Sequence, residues 1–383
     1  MALIHILALD ATRAGGAGVY TWALVEKLVN RGHQVTLICH EASEEVKKIA
    51  KVIVFPRISG HRPFGMWRFS SWLQMRDYRL LLSKLQLDKP DAVIGSAQPM
   101  ILPYARLFPS HRLIYLPHSL IAPVELNSYP YNNRLQKAVS IAAYRFMEKK
   151  CLRISSVTVR FTENACAAFR NYYGGSSCGR MVSLPMPIDQ SMFGKSGGPN
   201  RPFRLLSVGR LIKSKNIFFL LETLASMRNK SWTLDIVGSG SEMEALQEYS
   251  KSNGLDGRVI FHGHINDVTP FYRAADLFVF PSLLENSPVV LLEAMSFSLP
   301  TLSFYSDNKR YFGATHEIVQ HMHTGLLATD NREFQKILAN VFDEKINLAE
   351  IGAQACTYVQ EKHGWERHME NLEQIIKEVG EIT

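Results

Sequence analysis

The segment Phe278-Val-Phe-Pro-Ser-Leu-Leu-Glu285-Asn-Ser-Pro-Val-Val-Leu-Leu-Glu293-Ala-Met-Ser-Phe-Ser-Leu-Pro-Thr301 changes its physical character three times. Leu277 to Phe280 is a short, uninterrupted apolar run, the pattern of a strand covered on both faces. Pro281 and Ser282 end the run, and Glu285-Asn286-Ser287 forms a polar loop. Ser287 is placed to cap a helix and Pro288 to begin it, because proline lacks the N–H that has no partner in a first turn. A helix is expected from Val289 to Phe297, closed before Pro300, where the next strand starts. Strand, loop, helix and strand in that order form the unit of a parallel α/β sheet.

Two acids bracket this unit. Glu285 stands in the loop at the carboxyl end of the strand, and Glu293 about one and a half turns into the helix at ~3.6 residues per turn. Between them, the N–H groups of Asn286, Ser287, Val289 and Val290 point outward from a helix start whose dipole favours an anion. The arrangement suits a ligand with both phosphate and hydroxyl groups. Spacing alone also allows a plainer reading, two solvated surface acids.

Upstream, a strand over 203–208 runs into Gly209-Arg210-Leu-Ile-Lys213-Ser-Lys215-Asn216 and a helix over 217–227. Cations just past a strand's end can neutralise a diphosphate leaving group, though a solvated basic turn looks the same. At the N-terminus, a strand over 3–9 leads into Asp10-Ala-Thr-Arg-Ala-Gly15-Gly16-Ala-Gly18. A helix from Val19 to Asn30, with Tyr20, Leu24 and Leu28 on one face, and a strand over 34–39 complete a βαβ unit. Gly15 and Gly16 would let backbone N–H groups approach a phosphate, although glycines also serve tight turns. The full Gly-x-Gly-x-x-Gly pattern is absent, which argues against a hydride-transfer enzyme. Another strand, 113–116, ends in Pro117-His118-Ser119; its carboxyl end is the site-forming edge of an open α/β sheet, but a lone histidine is more often structural.

These segments together resemble the family-4 retaining glycosyltransferases of GT-B fold, the glycosyl transferases group 1. The run 278–301 matches the family's Glu-x7-Glu signature, and Val208-Gly209-Arg210 with Lys215 matches its Val-Gly-Arg…Lys motif. Gly238-Ser-Gly240, Gly263-His264, Tyr311-Phe-Gly313-Ala314 with Glu317-Ile318, and Thr324-Gly325-Leu-Leu extend the likeness. There are departures: Lys215 is followed by Asn216 rather than Gly, Ala314 replaces a second Gly, and Met186-Pro187 stands where the family has Asn-Gly. The resemblance implies that Glu285 lies by the donor sugar, that Glu293 binds the nucleotide ribose, and that Arg210 and Lys215 take the diphosphate. It also implies that Gly16, with Gly15, closes over that diphosphate, that His118 lies beside the sugar, and that the turn at His264 contacts the base through its backbone. Asn286, Ser287, Val289 and Val290 supply donor-facing amides on the same reading.

The chain has 383 residues and is 46% hydrophobic, enough for two cores. It contains no apolar run long enough to span a bilayer and no basic-fronted leader. Five cysteines, odd in number and without a Cys-x-x-Cys pair, point to reduced thiols in a cytoplasmic protein, most of them small buried hydrophobes. No Asp-x-Asp occurs to hold a divalent metal between phosphates, so no metal and no other cofactor is expected. The net charge of +8 is unevenly shared: residues 1–200 carry 25 Lys+Arg against 12 Asp+Glu, and residues 201–383 the remaining 18 against 23. The basic half includes 55–84, where Phe55, Phe64, Trp67, Phe69, Trp72 and Tyr78 alternate with Arg57, Arg62, Arg68, Arg76, Arg79 and Lys84. This stretch reads equally as an anionic-membrane surface patch or as a core helix with snorkelling arginines. No nucleic-acid motif accompanies it, and no nucleic-acid partner is expected.

The expected fold is therefore α/β and GT-B: two Rossmann-like domains facing each other across a cleft, with residues 1–190 acceptor-side, 191–365 binding the nucleotide sugar, and a helix over 366–383 crossing back. The expected function is metal-independent, retaining transfer of a hexose from a nucleotide sugar, UDP favoured, to a hydroxyl of a saccharide or glycolipid acceptor. Its setting would be bacterial cell-surface polysaccharide or lipopolysaccharide assembly, in the cytoplasm or peripherally at the inner face of the plasma membrane. A nucleotide-sugar 2-epimerase of the same fold, which needs no acceptor, and a non-catalytic sugar-nucleotide binding protein remain as alternatives.

Overall fold

The computed structural model describes residues 1–12, 16–55, 67–108, 112–118, 134–189, 193–194, 202–285, 287–307, 311 and 313–381, with 67–74 and 136 described for their backbone alone. The chain divides into two compact units, 1–184 with 369–383, and 185–368. The division falls at Leu184/Pro185, ahead of 190/191, and the final helix, Trp365–Glu381, passes from one unit to the other at 368/369.

Strands of the first unit are β1 (Leu3–Leu7), β2 (Asp10–Ala11), β3 (Gln34–Cys39), β4 (Glu41–Ala42), β5 (Lys51–Val54), β6 (Ala92–Gly95), β7 (Leu113–Tyr115), β8 (Val157–Arg160) and β9 (Met181–Ser183). Seven of them form one parallel sheet in the order β5-β3-β1-β6-β7-β8-β9, and β2 pairs with β4 apart from it. The second unit has β10 (Phe203–Val208), β11 (Trp232–Val237), β12 (Val259–Gly263), β13 (Leu277–Phe280), β14 (Thr301–Phe304) and β15 (Leu326–Ala328). They form a parallel sheet in the order β12-β11-β10-β13-β14-β15. Every residue of β6, β8, β13 and β14 is buried, and the strands are mostly apolar or β-branched, with Arg160 and Ser303 the buried polar exceptions. In each sheet the strand order reverses once, between β1 and β6 and between β10 and β13, and an open α/β sheet leaves its ligand crevice at that reversal.

The first helix begins at Gly16, three residues ahead of the expected Val19. It can do so because Gly18 lacks a side chain: a Cβ there would lie 2.4 Å from Asp10 Oδ1. Thr162 caps the Glu163–Tyr173 helix, its hydroxyl accepting from Ala165 N at 3.1 Å. The expected cap at Ser287 does not form. The Val289–Ser296 helix is preceded by Pro288 at ψ 88°, so Pro288 takes the cap position instead of Ser287 and offers no side-chain acceptor. The Met243–Ser252 helix likewise starts from Glu242 without a side-chain cap.

Phe55 and Tyr78 belong to the core of the first unit and not to a membrane-facing patch. Both are buried, their rings stack at 5.8 Å, and the Tyr78 hydroxyl and His40 Nε2 are 2.6 Å apart. Phe64 and the side chains of Trp67, Phe69 and Trp72 lie outside the described residues. No described helix is long and apolar enough to cross a membrane. All five cysteines are unbridged, four of them buried. In the first unit, Glu373 of the final helix accepts from Arg31 Nη1 at 2.9 Å, and Glu378 pairs with Arg180 at 2.5 Å. In the second, His363 and His368 bond the carbonyls of Met186 and Pro185, each at 2.8 Å, which fixes the Pro-Met-Pro segment that departs from the family pattern.

Candidate active site

The reversal point of the second sheet gathers the cationic turn and the first acid. After β10 the backbone turns at Gly209 and passes through a short 3-10 turn, Lys213–Lys215, to Asn216, whose left-handed φ of 57° redirects the chain into the helix Ile217–Ser226. After β13 the chain runs through Pro281 to Glu285. Two hydrogen bonds tie these loops: Leu283 N donates to Ser214 O at 2.8 Å, and the Ser282 hydroxyl donates to the same oxygen at 3.1 Å. The result is an ion pair across the crevice, with Lys215 Nζ donating to Glu285 Oε1 and lying 5.1 Å from the ring centre of Phe280.

Arg210 is exposed, and it lines with Lys215, Gly209, Leu211 and Phe280 one small pit at the end of β10. Glu285 is further fixed by Gly313. A Cβ there would fall 1.8 Å from the Glu285 carbonyl oxygen, and the φ of +138° is one that side chains rarely allow, so only glycine lets the two segments meet. Val289 and Val290 open the helix that follows; the first N–H groups of a helix have no acceptor within it. Ser287 is half-buried in the preceding turn, and Asn286 lies outside the described residues.

Glu293 occupies that same helix, with a partner the sequence did not reveal. Tyr272, fully buried and stacked on Phe297, donates its hydroxyl to Glu293 Oε2 at 2.7 Å. Burial pushes the Glu293 carboxyl up, and the tyrosine bond partly offsets this. One carboxylate oxygen is thereby held. His264 is exposed beyond β12, the edge strand, two strands from β10. Among the described residues, no three His, Cys, Asp or Glu side chains gather as a metal site would need.

In the first unit, His118 follows β7 and lines a small cavity with residues from the ends of β1 and β6, at the reversal point of that sheet. Its ring meets Tyr20 edge-on at 5.4 Å and lies 5.8 Å from Phe161. Burial lowers its pKa to about 4, with the Arg160 charge adding, so the ring is neutral near pH 7. Arg160, fully buried, donates to the Pro117 carbonyl at 2.6 Å and so fixes the residue before His118. Gly16 is exposed at the start of its helix; Gly15 lies outside the described residues.

Comparison with known proteins agrees with this architecture. The family model described as Glycosyltransferase Family 4 matches residues 14–190, and that described as Glycosyl transferases group 1 matches 202–344. The chain belongs to this family of GT-B glycosyltransferases. An uncharacterized glycosyltransferase of Haemophilus influenzae is 33% identical over 129 residues, 33% of this chain and 35% of that protein. The lipopolysaccharide core biosynthesis glycosyltransferase LpsE of Rhizobium meliloti is 32% identical over 108 residues, 28% of this chain and 31% of that one. The matched region thus spans about a third of these curated relatives' length. Sucrose-phosphate synthase from Thermosynechococcus elongatus superposes with a TM-score of 0.80 at 17% identity, covering 98% of both chains. HepE of Anabaena, solved with UDP and glucose, gives 0.72 at 17% identity over 99% of this chain and 100% of that one. At such identities these structures establish the shared fold.

Proposed function

We propose that the protein is a retaining glycosyltransferase that moves a hexose from a nucleotide sugar, UDP favoured, to a hydroxyl of a saccharide or glycolipid acceptor in cell-surface polysaccharide or lipopolysaccharide assembly. The observation that carries this reading is the Lys215–Glu285 pair spanning the β10/β13 reversal, beside exposed Arg210 and the mouth of the Val289–Ser296 helix. A relative in lipopolysaccharide core biosynthesis and a like-folded protein solved with UDP and glucose support the choice of donor and acceptor class.

Arg210 and Lys215 would take the diphosphate charge, aided by the amides of Ser287, Val289 and Val290; Asn286 and the Gly15-Gly16 loop add amides on the family pattern. Glu285 would bind sugar hydroxyls while holding Lys215 in place, and Glu293 the ribose. His118, neutral, would hydrogen-bond the sugar, and His264 would lie by the base. The acceptor oxygen attacks the anomeric carbon on the face the phosphate leaves: the carbon–phosphate oxygen bond breaks, the carbon–acceptor bond forms, and the acceptor's proton passes to the departing phosphate oxygen. No protein nucleophile is needed. The two cations and the lack of an Asp-x-Asp sequence favour a metal-free reaction. The test is NMR of the product of a transfer assay with EDTA present: the donor's anomeric configuration should persist at an unchanged rate. Inversion refutes retention, and loss of activity on chelation refutes metal independence.

A further inference from the structure

Three helices of the first unit, Trp67–Ser83, Gln98–Leu107 and Arg134–Ile154, border a groove of about 540 Å³, within the ~300–1,000 Å³ usual for small-molecule sites. Its floor is apolar, with Met75, Leu102, Ala143 and Met147, and its wall carries Phe146, which is 65% exposed. Four cations border the same space, Arg76, Arg79, Arg106 and Lys150, and no carboxylate is among its described lining residues. Asp77, next in sequence to Arg76, bonds that arginine at 3.3 Å at the surface. The apolar character continues along the third helix. Leu135, Val139 and Phe146 are 74%, 50% and 65% exposed, at spacings of four and seven that place them on one face.

An apolar trough rimmed by cations needs an occupant that is apolar along its length and anionic at one end. A second copy of this chain would bring the same cations against these. A neutral apolar peptide would leave them desolvated and unpaired. We propose that the groove takes the hydrocarbon chain of an anionic phospholipid, with the phosphate held by Arg76, Arg79, Arg106 and Lys150 and with Leu135, Val139 and Phe146 entering the same lipid surface. The site is separate from the residues assigned to the sugar nucleotide and is tested without one.

The experiment uses the full chain and dispersed dioctanoyl phosphatidylglycerol as probe, followed by calorimetry, with dioctanoyl phosphatidylcholine and inorganic phosphate in parallel. Saturable binding of the glycerol lipid, roughly tenfold or more tighter than of the choline lipid, is expected, since only the glycerol lipid carries a net negative charge for the cations to meet. Phe146→Asp and the pair Arg79→Glu/Arg106→Glu, all at exposed positions, should each weaken it by roughly tenfold with thermal midpoints unchanged. Flotation on vesicles of equal parts phosphatidylglycerol and phosphatidylcholine should follow the same order. The proposal is overturned by no binding, by equal binding of both lipids, by full displacement with phosphate alone, or by a Phe146→Asp variant that changes oligomeric state and leaves lipid binding intact.

Discussion

Lys215 and Glu285, 70 residues apart in sequence, form one ion pair because the strands that carry their loops, β10 and β13, are neighbours at the point where the second sheet reverses its order. Their side chains are 17% and 11% exposed, so each charge depends on the other. On the proposed function, this would couple the group that takes the phosphate to the group that binds the sugar.

Removing either partner should therefore cost both stability and rate. Lys215→Met or Glu285→Gln leaves a largely buried charge or donor unmet, about 1–3 kcal/mol of stability, and should lower turnover roughly 100-fold or more. The double variant should recover part of the thermal midpoint and none of the turnover. Recovery of turnover in the double variant would reduce the pair to a structural tie.

Tyr272→Phe deletes the hydroxyl that holds Glu293 and leaves the ring in place. Donor KM should rise roughly tenfold with little change in kcat, as expected for loss of one hydrogen bond to a charged group. Because burial already raises the Glu293 carboxyl, the variant should lose donor affinity on the acid side at higher pH than the wild type does. Glu293→Gln should flatten that acid limb. An unchanged KM and profile in Tyr272→Phe would confine the tyrosine to packing.

Gly313→Ala places a methyl group where the Glu285 carbonyl stands and strains a φ of +138°. The thermal midpoint should fall, and turnover should fall further than stability explains, because Glu285 must move. Gly32→Ala, also at positive φ but with nothing within 4 Å, should lower stability and spare turnover.

Buried histidines set the acid limit of the fold. His5, His118 and His368 all have pKa values lowered to about 4, chiefly by burial, against 6.5 when exposed. Between these values the unfolded chain holds the protons and the native chain does not, so stability rises with pH across about 4 to 6.5 and is lost as pH falls through that window. Unfolding near pH 5 should take up about three protons from these groups, read from the pH dependence of urea midpoints. His368→Gln should reduce that uptake by about one. A flat stability curve from pH 7 to pH 5 would contradict this.

Much of the framework was legible because buried parallel strands leave little choice of sequence: Gln34–Cys39, Phe203–Val208 and Leu277–Phe280 form over the residues the apolar runs marked. Caps were harder. At Ser287 the right residue type was present, but the backbone angle of Pro288 decided the helix start. The aromatic content of 55–84 left two readings open, since an aromatic beside an arginine looks alike in a core and at an interface; at Phe55 and Tyr78 the core reading holds. Within the site, the strand-end positions of Arg210, Lys215 and Glu285 followed from strand and turn patterns. The contacts between elements did not: Tyr272 on Glu293 and Gly313 on Glu285 join residues more than twenty positions apart. A tyrosine at an otherwise apolar buried position was the one local sign that something polar lay opposite.

The central claim is that one crevice of the second unit grips a sugar diphosphate between the cationic turn and the helix mouth. Hydrogen–deuterium exchange of the full chain with and without UDP-glucose tests it most directly. The account predicts joint protection of peptides covering 209–216 and 283–293, and its loss in Lys215→Met. Protection confined to one of those segments, or its persistence in the variant, would contradict it.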